Sequence, residues 1–176
     1  MAKKRKFCAY RSVERPYTRF SKYKKMSFVK AKPNCKIVRF NMGSPTKKFT
    51  HKIILISKTS LQIRDNAFES ARLTSNRLLE GELGKNGFRM KILTYPHHIL
   101  RENPLAAGAG ADRMSTGMKC SFGKTIGVAA QVKRGQVVFE LEVNKQNLEL
   151  GTKAMKRASY KLPNSYFIEV AENKAE

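Results

Sequence analysis

The sequence predicts a single α+β domain with a mainly antiparallel sheet, two packed helices and a basic N-terminal extension. Three observations predict it. Residues 65–83 and 144–161 carry apolar side chains at helical spacing. Short β-branched or alternating runs of strand length lie around them. Helices and strands do not alternate strictly, which argues against a parallel βαβ sheet.

Each element has its own signal. Residues 36–41 read as a short strand, with Gly43-Ser44-Pro45 as a turn. His51 to Ser57 is an apolar, β-branched run too short for a helix, so it reads as a buried strand. Asp65 is placed to cap the first helix. Phe68, Ala71, Ser75, Leu78, Leu79 and Leu83 form its buried face, with Arg72 turned away. Gly84 and the Lys-Asn-Gly after it can end the helix in a left-handed turn. Phe88 to Tyr95 alternates as a strand.

Residues 96–111 lose all periodicity, and the stretch 97–111 is expected to be a mobile loop. Asp112 to Lys119 suggests a short helix. Residues 126–133 and 136–143 read as two strands joined at Arg134-Gly135, with Glu140 and Glu142 facing outward. Asn144 can cap a second helix, whose buried face is Leu148, Met155, Ala158 and Leu162 and whose stop is Pro163. Tyr166–Val170 is a last strand. The expected organisation is an arm at 1–35, a core at 36–171 and a tail at 172–176.

Charge points to a partner. The formal net charge is +23, and 41% of residues are hydrophobic, enough for a core. Residues 1–64 hold 19 Lys and Arg against one acidic residue, Glu14, whereas residues 136–176 hold 6 of each sign. A gradient of this kind is the electrostatic footprint of a polyanion-binding face. No apolar run approaches the ~20 residues of a spanning helix, and no hydrophobic segment follows the basic N-terminus as in a signal peptide. A cytosolic chain on nucleic acid, with no membrane partner, is the simplest reading. Cys8, Cys35 and Cys120 are widely spaced and lack a C-x-x-C pair, which suits reduced thiols that bind no metal.

The candidate RNA contacts follow from that gradient. In the first 32 residues aromatics interleave with cations: Tyr10 and Tyr17 stand among Lys3, Lys4, Arg5, Lys6, Arg11, Arg15, Arg19, Lys22, Lys24 and Lys25. An arm that folds on RNA would stack its rings on bases and set its cations on phosphates. The competing reading is a basic tail whose aromatics pack on its own domain. Arg101, Arg113, Lys119, Lys124, Lys133 and Arg134 flank the long loop and the following turn, where phosphate contact competes with a merely solvated surface. His97 and His98 are adjacent, so on a strand end they point apart and make a poor metal pair; RNA contact suits them better. Gly108-Ala109-Gly110 is not a dinucleotide fingerprint, and no phosphate-binding G-x-x-x-x-G-K-[ST] occurs. No cofactor, metal or small-molecule substrate is expected.

An ordered set of motifs then carries a resemblance. It consists of Ile63-Arg64-Asp65-Asn66-Ala67-Phe68-Glu69-Ser70-Ala71-Arg72, Tyr95-Pro96-His97-His98-Ile99-Leu100-Arg101-Glu102-Asn103, Gly108-Ala109-Gly110-Ala111-Asp112-Arg113-Met114, Gly117-Met118, Phe122-Gly123-Lys124 and Lys161-Leu162-Pro163. The chain resembles, over most of residues 36–170, the large-subunit ribosomal protein family called L-ten-e in archaeal and L-sixteen in universal nomenclature. The long basic arm and the Gly-Ala-Gly-Ala-Asp loop resemble the archaeal type. The resemblance implies a hammerhead-type α+β fold, a structural rather than enzymatic role, and a seat on large-subunit rRNA beside neighbouring ribosomal proteins. It further implies that the loop, with Asn103, Pro104, Leu105, Ala106, Ala107, Gly108, Ala109 and Gly110 at its tip, reaches toward A-site tRNA and the peptidyl transferase centre. Three places depart from the family pattern: Pro104-Leu105 where Lys-Met is usual, Lys119-Cys120 where arginine pairs are common, and Thr125 where proline is usual. An RNA-modifying enzyme would need a paired acid and base or a cofactor pocket, and a DNA-compacting protein would favour a helix-turn-helix; neither is evident.

Overall fold

The computed structural model describes residues 6–21, 23, 27–102 and 123–173. Its strands are β1 (Asn41–Gly43), β2 (His51–Ser57), β3 (Leu61–Arg64), β4 (Arg89–Ile92), β5 (His98–Glu102), β6 (Lys124–Val132), β7 (Val137–Val143) and β8 (Tyr166–Glu172). The helices are α1 (Asp65–Leu83) and α2 (Leu148–Ser159). The fold is α+β, with every strand pair antiparallel.

There are two sheets. One has the order β1-β4-β7-β2-β8 and the other β3-β6-β5. The main core lies between the five-stranded sheet and the helices, around Ile53, Leu55, Phe68, Leu79, Phe139, Leu141 and Met155. Phe68 of α1 meets Phe139 of β7 with ring centroids 6.1 Å apart. α2 lies close on the sheet because position 151 is glycine. A Cβ there would come within 2.6 Å of the Ile53 Cδ1 atom.

α1, β2 and their bounds match the sequence reading, and Gly84 closes α1 at φ 68°. Asp65 sits one place inside the expected cap. Its carboxylate accepts the N–H of Asn66 at 2.8 Å and of Lys36 at 3.2 Å. That second bond corrects the strand expected at 36–41. The N–H groups of Lys36 and Val38 go to the carboxylates of Asp65 and Glu69 on α1, so this segment is tied to a helix, and pairing starts only at Asn41. Arg72, expected to face solvent, is 7% exposed. Its Nε and Nη2 donate to the Glu69 carboxylate at 2.8 and 2.5 Å, which makes its burial tolerable.

Further expectations are corrected. The aperiodic stretch from residue 96 gives His98–Glu102 to strand β5, because β6 supplies a long-range partner that local pattern does not reveal. β6 and β7 do not form a hairpin: they belong to different sheets, and Ser57 bridges the turn by accepting from Gly135 and donating to Gln136. Glu140 and Glu142 alternate with the core residues Phe139, Leu141 and Val143 as expected, but they are only 8% and 9% exposed, since Lys52, Lys91 and Arg89 lie over them. The second helix is shorter than expected, with a 3-10 turn over Lys145–Asn147 before it and no side-chain cap from Asn144. The helix expected at 112–119 lies outside the described residues.

Candidate nucleic-acid interface

The N-terminal segment is built onto the three-stranded sheet. Gln62 of β3 and Gln131 of β6 are register partners. Their side-chain amides donate to the carbonyls of Ser12 and Glu14, the latter at 2.7 Å. The segment then reaches β5, the edge strand. There the Tyr17 N–H donates to His98 Nδ1 at 2.8 Å, and the Tyr17 carbonyl accepts from the Ile99 N–H at 3.2 Å. Val29 lies on the other side, in a small apolar cluster with Ile99 and Val128. Residues 128 and 131 are three apart on one strand, so they project from opposite faces. The segment therefore crosses one face, turns around the β5 edge at Tyr17 and continues on the far face. Thr125 holds that far part by donating to the Ala31 carbonyl at 2.8 Å. An exposed sheet edge is thereby covered.

The aromatics at the start of this segment serve the protein itself. Arg101 lies 3.6 Å from the Tyr17 ring centroid. The Tyr10 hydroxyl donates to Glu102 at 3.4 Å, and Arg64 sits 6.0 Å from its ring. So Tyr10 and Tyr17 act as clasps, and the reading in which the arm packs on its own domain describes these two rings. Phe20, Tyr23 and Phe28 remain exposed.

His98 takes part in the protein's own contacts. Burial, with help from the charges of His97 and Arg101, pushes its pKa down to about 4. At neutral pH it is an uncharged acceptor for Tyr17, not a cation for phosphate. His97 is half-buried and its Nδ1 contacts the Tyr95 carbonyl at 3.2 Å.

The expected cations divide into groups. Lys6, Arg11 and Arg15 are exposed on the arm, and Arg19 is half-buried where it bridges to Phe28. Arg101 is half-buried, and Lys124 is exposed at the start of β6, in register with Glu102. Lys133 and Arg134 stand beyond the other end of β6, beside Ser57 and Ser60. At ~3.3 Å per residue, the strand puts roughly 30 Å between Lys124 and Lys133. The single cluster around one loop is thus two separate patches, a fact that strand length alone could have signalled. Lys3, Lys4, Arg5, Lys22, Lys24, Lys25, Arg113, Lys119 and the loop tip at 103–110 lie outside the described residues.

Three buried or half-buried glutamates are committed elsewhere. Glu69 is taken by Arg72, and Glu140 and Glu142 by Lys52, Lys91 and Arg89. Among the described residues, Arg11, Arg15, Lys30, Lys32, Lys36 and Arg39 form no ion pair. The same residues include no group of three or more His, Cys, Asp or Glu fit to hold a metal ion, and no helix long and apolar enough to cross a membrane.

The chain matches the family described as ribosomal protein L16p/L10e over residues 17–169. It belongs to that family. Relatives named large ribosomal subunit protein uL16 agree along nearly its whole length. The protein of Methanococcus maripaludis strain S2 is 42% identical over 165 residues, covering 94% of this chain and 92% of its own. That of Methanocella arvoryzae is 42% identical over 168 residues, covering 94% and 97%. That of Archaeoglobus fulgidus is 38% identical over 154 residues, covering 88% and 85%. The L16p/L10e chain described here is accordingly of archaeal type, and it is a ribosomal protein rather than an enzyme.

Proposed function

We propose that this chain is a structural constituent of the large ribosomal subunit that binds rRNA through the arm side of its fold and reaches toward A-site tRNA with the segment after β5. One observation carries the rRNA reading: among the described residues, the exposed cations between 11 and 39 form no ion pair, Glu14 is the one acidic residue in that stretch, and the Asp65 and Glu69 carboxylates that approach it are already engaged. Unneutralised cations along one segment repel one another and are stabilised by a phosphate backbone. Family membership supports the seat, since the relatives are named as large-subunit proteins. The tRNA reading rests on the resemblance and on one anchor. Glu102 and Lys124 are register partners, so the last described residue of β5 and the first of β6 lie side by side, next to Arg101. Placement in a cytoplasmic ribosome follows from the same reading.

The test is binding of the full-length chain to folded large-subunit rRNA fragments over a salt series. The logarithm of affinity is expected to fall linearly with the logarithm of salt. Replacing Arg11, Arg15 and Lys30 by Gln is expected to lower the slope by about one for each phosphate that is no longer neutralised. An unchanged slope would refute the arm assignment. Tighter binding to duplex DNA at matched salt would refute the RNA preference. Cross-linking from position 105 in reconstituted subunits should capture A-site tRNA, and its failure there would overturn the tRNA reading alone.

A further inference from the structure

A second aromatic and cationic patch lies outside the arm. Phe40 and Tyr95 stack with centroids 5.5 Å apart and planes 29° apart. Both are positioned by the backbone. The Phe40 carbonyl accepts from the Ile92 N–H at 2.8 Å, and the Leu93 N–H donates to Val138 at 3.0 Å, two residues before Tyr95. Phe40 rests partly buried on the main core, whereas Tyr95 stays 50% exposed. The Lys32 ammonium also lies over the Tyr95 ring, 5.2 Å from the centroid. Lys32 is exposed, so its flexible stem can swing aside and free the electron-rich ring for another π-face while its charge stays nearby. Arg39 and Lys36 are exposed in the same segment. The two carboxylates that approach this segment, Asp65 and Glu69, are turned to its backbone N–H groups and, for Glu69, to Arg72.

We propose that Tyr95, backed by Phe40, is a stacking platform for one unpaired RNA base, with Lys32 and Arg39 taking the flanking phosphates. The proposal rests on the rRNA-binding reading and adds a base-contacting site to it. A ring that served only the core would not leave half its surface to solvent beneath a lysine. A rim that is cationic, its neighbouring carboxylates already engaged, suits a polyanion. Bases within a duplex have no free face, so the ligand is single-stranded RNA or a splayed loop base.

The experiment titrates the full-length chain with a single-stranded RNA of about 12 nucleotides carrying central 2-aminopurine, within the size range of such sites. Anisotropy reads affinity and 2-aminopurine emission reads stacking. The intact chain is expected to quench the emission. Tyr95→Leu is expected to lose the quench and about five- to hundredfold in affinity, with the salt slope unchanged, since one stacked base contributes ~1–3 kcal/mol. Tyr95→Phe should behave like the parent, which separates stacking from hydroxyl chemistry. Lys32→Gln, a surface change that leaves folding intact, should lower the salt slope by about 0.7. If Tyr95→Leu binds and quenches like the parent while Arg11→Gln still weakens binding, the platform is wrong and the arm reading stands. An intact chain that binds no RNA overturns both. Preferential capture of an apolar peptide over RNA at the patch also overturns the platform.

Discussion

The Tyr17 N–H donates to His98 Nδ1 at 2.8 Å, across a sequence separation of 81. This bond requires Nδ1 to be unprotonated, which places the imidazole proton on Nε2. Its energy matters because the arm meets the β5 edge through that residue.

The clasp should loosen in acid. His98 is pushed down to about 4 by burial, then by His97 and Arg101, from an ordinary 6.5. Between those values the undocked or unfolded state binds a proton that the docked state refuses. Docking is therefore at full strength above about pH 6.5 and weakens as pH falls toward 4. NMR of the Tyr17 amide should show drift toward an unstructured shift over that window. His98→Asn, whose Oδ1 can accept without titrating, should show none. A Tyr17 resonance constant down to pH 4 in the parent would sink the idea.

The charge ladder on the five-stranded sheet should contribute measurably to stability. Glu140 receives Lys52 at 3.0 Å and Lys91 at 3.3 Å. Burial works against its ionisation, but the hydrogen bond and charge of Lys52, together with Lys91, outweigh it and hold the carboxyl below 4.5. Its stabilisation is present above pH 4.5 and is lost as pH falls through the lowered value. Glu140→Gln should cost about 1–2 kcal/mol at pH 7, less than a fully buried pair because both lysines keep access to water. Urea titrations at pH 7 and near pH 3 check this; an equal cost at both would contradict it.

Two glycines should respond oppositely to alanine. Gly43 has φ +84°, and a Cβ there would meet the Phe88 carbonyl oxygen at 2.0 Å. Gly43→Ala should destabilise by about 2 kcal/mol or more, from left-handed strain and a backbone collision. Gly81 lies within α1 with nothing within 4 Å of its missing Cβ. Gly81→Ala should stabilise by about 0.5–1 kcal/mol. Thermal melts of both variants decide the matter, and a shift of the same sign would refute the contrast.

Local signals carried much of the fold. α1 was readable because its apolar face and Gly84 lie within one stretch, and β2 because its apolar, β-branched run is too short for a helix, although its alternating burial is not written in that run. β3 escaped notice: Leu61-Gln62-Ile63-Arg64 runs straight into α1 without a turn residue. β5 escaped because Pro96-His97-His98 hides any alternation, and its strand character comes from β6. The interface was legible as charge and composition. Its geometry was not, because Gln62 with Ser12, Gln131 with Glu14 and Tyr17 with His98 are pairings that only the folded chain creates. The same applies to Phe40 with Tyr95, although the run of cations past residue 30 was a visible hint.

The Gln131 bond to Glu14 spans 117 residues. Pairing of Ile53 with Val170 spans the same distance along the chain, so the arm's seat and the main sheet both rest on non-local contacts, which slow folding. During synthesis the first segment emerges well before the strand that will receive it. α1 can form in that interval, but the arm must wait for β6, and β2 must wait for β7 and β8. During refolding the β2 amides and the Tyr17 amide should both gain protection from hydrogen exchange after those of α1.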